Sequence, residues 1–313
     1  MASEELGVAV LAYGGGGEFR ALIDSLAADG VPGSAIVVVH NSAEPGEAAP
    51  SAAAGIEVIQ TGANPGYAGG MNVGVARLLE RGVDQLLVLT HDARLRPGAL
   101  AALRAAAAAQ PRFGILGPAL VLTGTETPFS FGGVTSPDGA NAHRKELPPG
   151  GEEGVFACDW VDGGTMLVRR GVFERVGVFD ERFWGYVEEA DLCLRARRAG
   201  FEVGVVAAAK ADQDPGHGKR VGAWAYLTTR NGIEYARQAA GVRGLATITV
   251  RSLWLVALNL ARAALRATRL RPGGPAEPWA LAVGTWRGMV DRYRGRWGAP
   301  PADLTGLGDL RNA

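Results

Sequence analysis

"NPGYAGGMNVGV", residues 64–75, puts four glycines and two asparagines into twelve positions at the mouth of an apolar segment. A glycine-flanked loop leading from a strand into a helix lets backbone N–H groups approach a phosphate or a sugar without steric conflict. The competing reading is a tight strand-to-helix turn whose glycines serve packing. On either side the pattern is regular. "GIEVIQTG" (55–62) reads as a strand, "GMNVGVARLLERG" (70–82) as a helix with a glycine stop, and "DQLLVLTHD" (84–92) as a strand running into polar residues.

Further toward the N-terminus, "GVAVLAY" (7–13) and "SAIVVVHNS" (34–42) are apolar strands around the helical "EFRALIDSLAADG" (18–30). The order is β-α-β-β-α-β. Continuous rather than alternating apolar strands predict an α/β fold, with a mostly parallel, Rossmann-like central sheet covered by helices on both faces. Ligands of such sheets sit at the strand C-terminal ends. Those ends carry Tyr13 to Gly17, His40 to Ser42, Gly62 to Gly70 and Thr90 to Asp92. Beyond them come a helix at 96–110, a strand at 113–122, a long loop or irregular hairpin at 123–154, a strand and helix within 161–183, a helix at 188–200 and a strand at 202–208. From Ala223 the pattern is helical to about residue 270, breaks at "RPGGPAEP", and ends in a last helix.

Lys plus Arg and Asp plus Glu both total 32 in 313 residues, so no global field draws the chain to nucleic acid, and none is expected as a partner. Cys158 and Cys193 sit in apolar surroundings without metal spacing and read as reduced core residues of a cytoplasmic protein. The acidic N-terminus is not that of an export signal. The most apolar later stretch, Leu245 to Leu260, is interrupted by Arg251 and reads as too short to span a bilayer. Its arginine-rich surroundings suit a helix packed on the domain or one resting on anionic lipid, and packing is the expectation.

Two constellations carry chemistry. A buried strand delivers Asp92 to the crevice, where a carboxylate suits Mg²⁺ or Mn²⁺ bridging a diphosphate, with His91 beside it. In "FDERFWGYVEEADLCLRARRAGF" three acids, Glu188, Glu189 and Asp191, stand at a helix start, more than dipole capping requires. A carboxylate there can take a proton from an acceptor hydroxyl. A dinucleotide site is disfavoured, because "GGGGEFR" lacks the glycine spacing and no acid ends the second strand.

These motifs, with "VAVLAY", "VVVHNS", "LLVLTHD" and "VDGGTMLVRR", stand in the order found in glycosyltransferase family 2. Over residues 6–235 the chain resembles the inverting, metal-dependent enzymes of the GT-A fold, and within them the bacterial rhamnosyltransferase-like branch. The resemblance implies a catalytic domain over 1–235, whose nucleotide-sugar half is 1–115 and whose acceptor half is 116–235, followed by a C-terminal helical extension over 236–313. It implies a dTDP- or UDP-sugar donor, a 6-deoxyhexose such as rhamnose, and a glycan, lipid-linked or small-molecule acceptor. Asp92 matches the last carboxylate of the metal motif, with His217 the nearest downstream imidazole. Ala12, Tyr13, His40, Asn41, Asn64, Gly66, Gly69, Gly70, Asn72, His91, Gly163, Gly164 and Arg230 match positions around the nucleotide sugar. Glu189 matches the catalytic base, with Glu188 and Asp191 beside it. His40 stands where the family tends to have Asp, Glu189 where it has Asp, and Gln213 where a histidine is expected. The alternative is a protein of the same fold that binds a nucleotide sugar without turning it over. A location at the inner face of the cell membrane, a peripheral membrane contact and a homodimer stay open.

Overall fold

The apolar runs flanking the opening stretch are the strands that organise the sheet: β1 (Leu6–Ala12), β2 (Ile36–His40), β3 (Glu57–Gln60) and β4 (Gln85–Thr90). They belong to a computed structural model that describes residues 5–13, 17–42, 55–148, 154–213, 220–268 and 276–305. The intervening helices are α1 (Gly17–Ala28), α2 (Gly66–Arg81) and α3 (Ala99–Ala109), with the two-residue β5 (Arg94–Leu95) ahead of α3. The chain continues as β6 (Phe113–Leu122), β7 (Pro128–Ser130), β8 (Gly133–Thr135), β9 (Asn141–His143), β10 (Val155–Ala157), β11 (Thr165–Arg169), α4 (Arg170–Val176), α5 (Glu188–Arg198) and β12 (Glu202–Gln213). Three helices follow: α6 (Val221–Ala267), α7 (Ala276–Tyr293) and the short α8 (Ala302–Thr305).

The chain divides into two compact units: Met1–Val134, Ala142–Glu181 and Glu188–Asp214 in the first, and Thr135–Asn141, Arg182–Val187 and Pro215–Ala313 in the second. Residues 215–235 thus group with the C-terminal helices.

The first unit is built on a sheet of order β10-β12-β6-β11-β4-β1-β2-β3. β1 to β4 pair in parallel, as do β6 and β12, while β11 is antiparallel to both β4 and β6 and β10 is antiparallel to β12. Six of these eight strands therefore point the same way, which is the mostly parallel α/β sheet expected. β12 runs to Gln213, past the expected end at 208, and shifts register between Val206 and Lys210 opposite Pro118 and Ala119. Proline has no N–H to give to a ladder, so the irregularity falls where a bond could not form.

Side-chain alternation along β1 assigns the two faces. Val8, Val10 and Ala12 join Phe19, Leu22 and Leu26 of α1 and Leu100 and Leu103 of α3 in one buried cluster. Ala9 and Leu11 face α2 instead. A Cβ placed on Gly74 would stand 3.1 Å from Ala9 Cβ, and one on Gly70 would stand 2.6 Å from Leu11 Cδ1 and 2.8 Å from Asn41 Cγ. α2 begins at Gly66, four residues ahead of the start expected from the sequence, so Gly69 and Gly70 lie inside it. The missing side chain of Gly70 lets the helix rest on the strand ends, while that of Gly69 leaves room for Pro65, which a Cβ there would approach to 2.8 Å. Gly70→Ala is expected to cost about 1–3 kcal/mol, the range for overpacking a filled interior. A lowered urea midpoint with unchanged m-value would show it.

In the second unit α6 is not one rod. Gly241, at φ 63° and ψ −144°, breaks it into arms at 221–240 and 242–267. α7 passes both. Cβ atoms on Gly284 and Gly288 would stand 2.3 Å from the carbonyl oxygens of Gly222 and Tyr226, a register that runs parallel to the first arm. The pairs Thr249–Tyr293 (2.7 Å between hydroxyls) and Arg266–Glu277 (3.5 Å) run antiparallel to the second. The arms are therefore antiparallel to each other, and Gly241 is their turn. By length and composition α6 is apolar enough to cross a membrane, which corrects the reading of Leu245 to Leu260 as too short. The charged side chain that interrupts this stretch, Arg251, lies on the second arm.

Candidate functional site

The parallel strands end level with one another. Ala12 pairs with His40, His40 with Gln60, and Leu11 with Thr90. The next residues fold back over β1: the amide of Asn41 donates to Ala12 O at 2.7 Å and that of His91 to Leu11 O at 3.0 Å. Tyr13 is half exposed beyond buried Ala12. Asn41 is buried, and its Nδ2 donates to Gly66 O (2.9 Å) and Asn64 Oδ1 (3.1 Å), while Gly66 N also donates to Asn64 Oδ1 (3.0 Å). The end of β2 is thus stapled to the start of α2. His40 is buried with its ring edge-on to Phe19 at 6.1 Å, and burial, then the neighbouring His91, lowers its pKa. Both causes favour the neutral imidazole.

Across β4 the same sheet end carries the acids. The amide of Thr90 donates to Gly164 O at 3.2 Å, and Gly164 N donates to Asp162 Oδ1 at 2.9 Å. Asp92, two residues past Thr90, is exposed. Tyr67 reaches over from the first turn of α2 and donates its hydroxyl to Gly163 O at 2.5 Å, its ring edge-on to Phe179 at 5.5 Å. A Cβ on Gly163 would lie 3.2 Å from that hydroxyl and 3.3 Å from Glu189 Cβ. Tyr67, Gly163 and Glu189 therefore converge, with little room left for a side chain at Gly163.

Charge is concentrated here. Glu188 is buried, its Oε2 has no hydrogen-bond partner among the described residues, and its carboxyl is held well above the usual carboxylate range. Burial is the first cause; the carboxylates of Glu189, Asp162 and Asp191 add to it. Burial and then Glu188, Glu189 and Asp162 push the Tyr67 phenol well above its ordinary value, so it stays a donor. Glu189 is only partly buried. Two adjacent carboxyls in unlike surroundings are the arrangement that separates a protonated from an ionised acid.

Several residues expected as site groups are committed elsewhere. Gly69 and Gly70 serve the packing of α2, as above. The Asn72 carboxamide donates to Phe179 O (2.9 Å) and Glu181 Oε1 (3.0 Å) and accepts from Phe179 N (3.0 Å), bracing the segment before the acidic helix. Asp191 is buried against Arg195 at 2.8 Å, and that guanidinium also donates to Val176 O (2.6 Å) and Val178 O (2.9 Å). That ion pair ties α5 to the backbone at 176–178. Arg230, expected near the donor, is buried in the second unit and spends its guanidinium on Gly298 O (2.7 Å), Phe183 O (2.9 Å) and Asn231 Oδ1 (2.9 Å). His217 lies outside the described residues. Sequence patterning does not single out Tyr67 and Asp162, although both sit in the motifs that carry the site: an aromatic inside a glycine run and an acid before a double glycine.

Among the described residues no group of three or more His, Cys, Asp and Glu could hold a metal ion. Asp92 offers one exposed carboxylate beside His91. That donor set fits a hard cation that arrives with a diphosphate, since Mg²⁺-type sites are completed by substrate phosphates and water.

The fold is that of the GT-A glycosyltransferases. The mannosyltransferase PcManGT from Pyrobaculum calidifontis, solved with GDP-Man and Mn²⁺, superposes at a TM-score of 0.54 over 95% of this chain and 89% of its own, at 14% identity. GalNAc-T7, solved with UDP, GalNAc and Mn²⁺, gives a TM-score of 0.54 over 78% of this chain and 56% of its own, at 12% identity. In sequence the chain is rhamnosyltransferase-like: it is 30% identical over 204 residues to the N-acetylglucosaminyl-diphospho-decaprenol L-rhamnosyltransferase of Mycobacterium tuberculosis, a match covering 58% of this chain and 61% of that protein. The chain thus spans about three fifths of that relative's length. No protein-family model matches it.

Proposed function

We propose that the protein is an inverting, metal-dependent glycosyltransferase that moves a sugar, a 6-deoxyhexose such as rhamnose, from a dTDP or UDP donor to an acceptor hydroxyl on a glycan, a lipid-linked sugar or a small molecule. The observation that carries this reading is the carboxyl pair Glu188–Glu189 set against Gly163 and Tyr67 at the sheet end that also bears Asp92. The similarity to the L-rhamnosyltransferase supports the substrate class.

Glu189, partly open to solvent, is placed to accept the acceptor's proton; buried Glu188 keeps its own and adds no second negative charge. Tyr67 holds the Gly163 carbonyl and so sets the distance between the double-glycine turn and the base. Asn41 and Asn64 fix the loop over the ends of β1 and β2, where the nucleotide would lie. Asp92, with His91 alongside, would hold the divalent cation, which when bound offsets charge on the leaving diphosphate. A base on one face of the sugar and a leaving group on the other make the displacement inverting. The reaction would take place in the cytoplasm.

Calorimetric titration with dTDP and UDP tests this. In Mn²⁺ buffer Asp92→Asn is expected to weaken binding by about tenfold or more, equivalent to about 1.4 kcal/mol, and to change nothing in EDTA. Wild-type affinity that ignores Mn²⁺ would remove the metal role. Failure of the protein to transfer or hydrolyse any sugar in a nucleotide-sugar panel would leave the silent binder.

A further inference from the structure

The helices of the second unit are amphipathic in the wrong sense for a protein surrounded only by water. On the second arm of α6 the buried positions are Gly244, Ser252, Asn259 and Ala263, small or polar residues at helical spacing. The large apolar side chains point out: Val250 is 65% exposed, Leu253 45%, Trp254 60% and Leu260 42%. Only 17% of the helix's most apolar stretch is buried. α7 repeats the pattern. Its buried positions include Gly284, Thr285 and Gly288, while Trp279, Trp286 and Tyr293 recur every seven residues and are each about half exposed. The Tyr293–Thr249 hydrogen bond brings the end of this aromatic stripe beside Val250.

A water-facing helix hides its apolar stripe against protein. Here the stripe is left outside on two neighbouring antiparallel helices. The charge pattern identifies what covers it. Between Glu234 and Glu277 the sequence has seven arginines and no aspartate or glutamate, in a chain whose formal net charge is zero. Of these, Arg243, Arg251 and Arg262 are exposed on the second arm. Exposed Trp and Leu interleaved with Arg match the two layers of a bilayer interface, acyl chains below and anionic headgroups above. Arg251 interrupts the apolar stretch and is exposed with Arg262 on the same arm, which suits a helix lying along a surface with its guanidiniums at the headgroups.

We infer that the outer face of the second arm of α6 and α7 is a docking surface for an anionic lipid bilayer. The inference does not rest on the glycosyltransferase reading, because vesicle binding needs no donor, metal or turnover.

Flotation of the full-length protein with vesicles tests it. With phosphatidylcholine containing about 30 mol% phosphatidylglycerol, most of the protein is expected to float; with pure phosphatidylcholine, or in about 0.5 M NaCl, the floated fraction should fall severalfold. The triple variant Trp254→Ser, Trp279→Ser, Trp286→Ser changes exposed positions only and should lose about tenfold or more in partitioning at an unchanged melting temperature. Arg251→Gln with Arg262→Gln leaves the apolar face intact and should remove the preference for phosphatidylglycerol; it serves where the tryptophan variant does not fold. A wild-type protein that stays with the soluble fraction overturns the inference, whether it is a monomer or, by light scattering, a dimer that covers this face with a second copy. So does undiminished flotation of a folded tryptophan variant or an unchanged lipid preference of the arginine variant.

Discussion

Glu189→Gln is expected to lower sugar transfer by about 10²–10⁴-fold, the range that a positioned base contributes, while the melting temperature and donor affinity stay near wild type. The substitution removes a proton acceptor without changing shape, and the side chain is only partly buried, so little stability is at stake. Its neighbour should behave differently. The folded protein keeps a proton on Glu188 that the unfolded chain releases near pH ~4.3. The native state then binds more protons than the unfolded one above that pH, so stability falls as pH rises from there toward the elevated folded pKa. Glu188→Gln should flatten this decline and raise the melting temperature at pH 7 to 8 by a few degrees, about 2–4 °C per kcal/mol for a chain of this size. Melting curves at pH 5 and pH 8 with a matched activity assay separate the two residues. An enzyme whose Glu189→Gln variant retains activity within tenfold of wild type would disprove the assignment of the base.

The largest effect on stability is expected at Arg230. Its guanidinium is fully buried, donates to Gly298 O and Phe183 O, and lies over the rings of Tyr226 (5.2 Å) and Trp297 (5.5 Å). Next to it Asn231 Nδ2 is shared among Phe183 O, Gly185 O and Tyr186 O at 2.8–2.9 Å. Together they hold a segment in which Trp184, Tyr186 and Val187 all have positive φ, at 64°, 66° and 78°. Such conformations cost about 1–3 kcal/mol each and persist only when surroundings impose them. Arg230→Ala orphans buried carbonyls, opens a cavity and releases that strain, for an expected loss of about 3–5 kcal/mol in denaturant unfolding. Arg230→Lys should recover only part of it, since an ammonium cannot reproduce the guanidinium's spread of donors. A loss below about 1 kcal/mol for the alanine variant would show that the segment is held by other contacts.

The strand ends are legible because continuous apolar runs such as "VAVLA" and "LLVL" have few alternatives to buried parallel strands, and the chemistry of such sheets lies at their C-terminal ends. The acids proposed as metal ligand and base, Asp92 and Glu189, draw attention in the sequence because each follows or opens a regular element. The glycines of residues 64–75 are harder. Nothing local distinguishes a glycine that admits a ligand from one that admits Leu11 and Asn41, because the deciding neighbours are 29 to 59 positions away in sequence. Arg230 is misplaced likewise, since an arginine that recognises phosphate and one that braces backbone carbonyls have the same letter and the same donors. The α6 turn is hidden because Gly241 sits in a run of good helix formers, and only its left-handed φ marks the reversal.

Segments 135–141 and 182–187 belong to one compact unit although both are flanked in the chain by the other. No single cut of the gene, at residue 214, 235 or anywhere else, can then yield both halves whole: a C-terminal fragment starts without two of its own pieces. Modular swapping of the helical part between related proteins would have to carry two inserts as well as the tail.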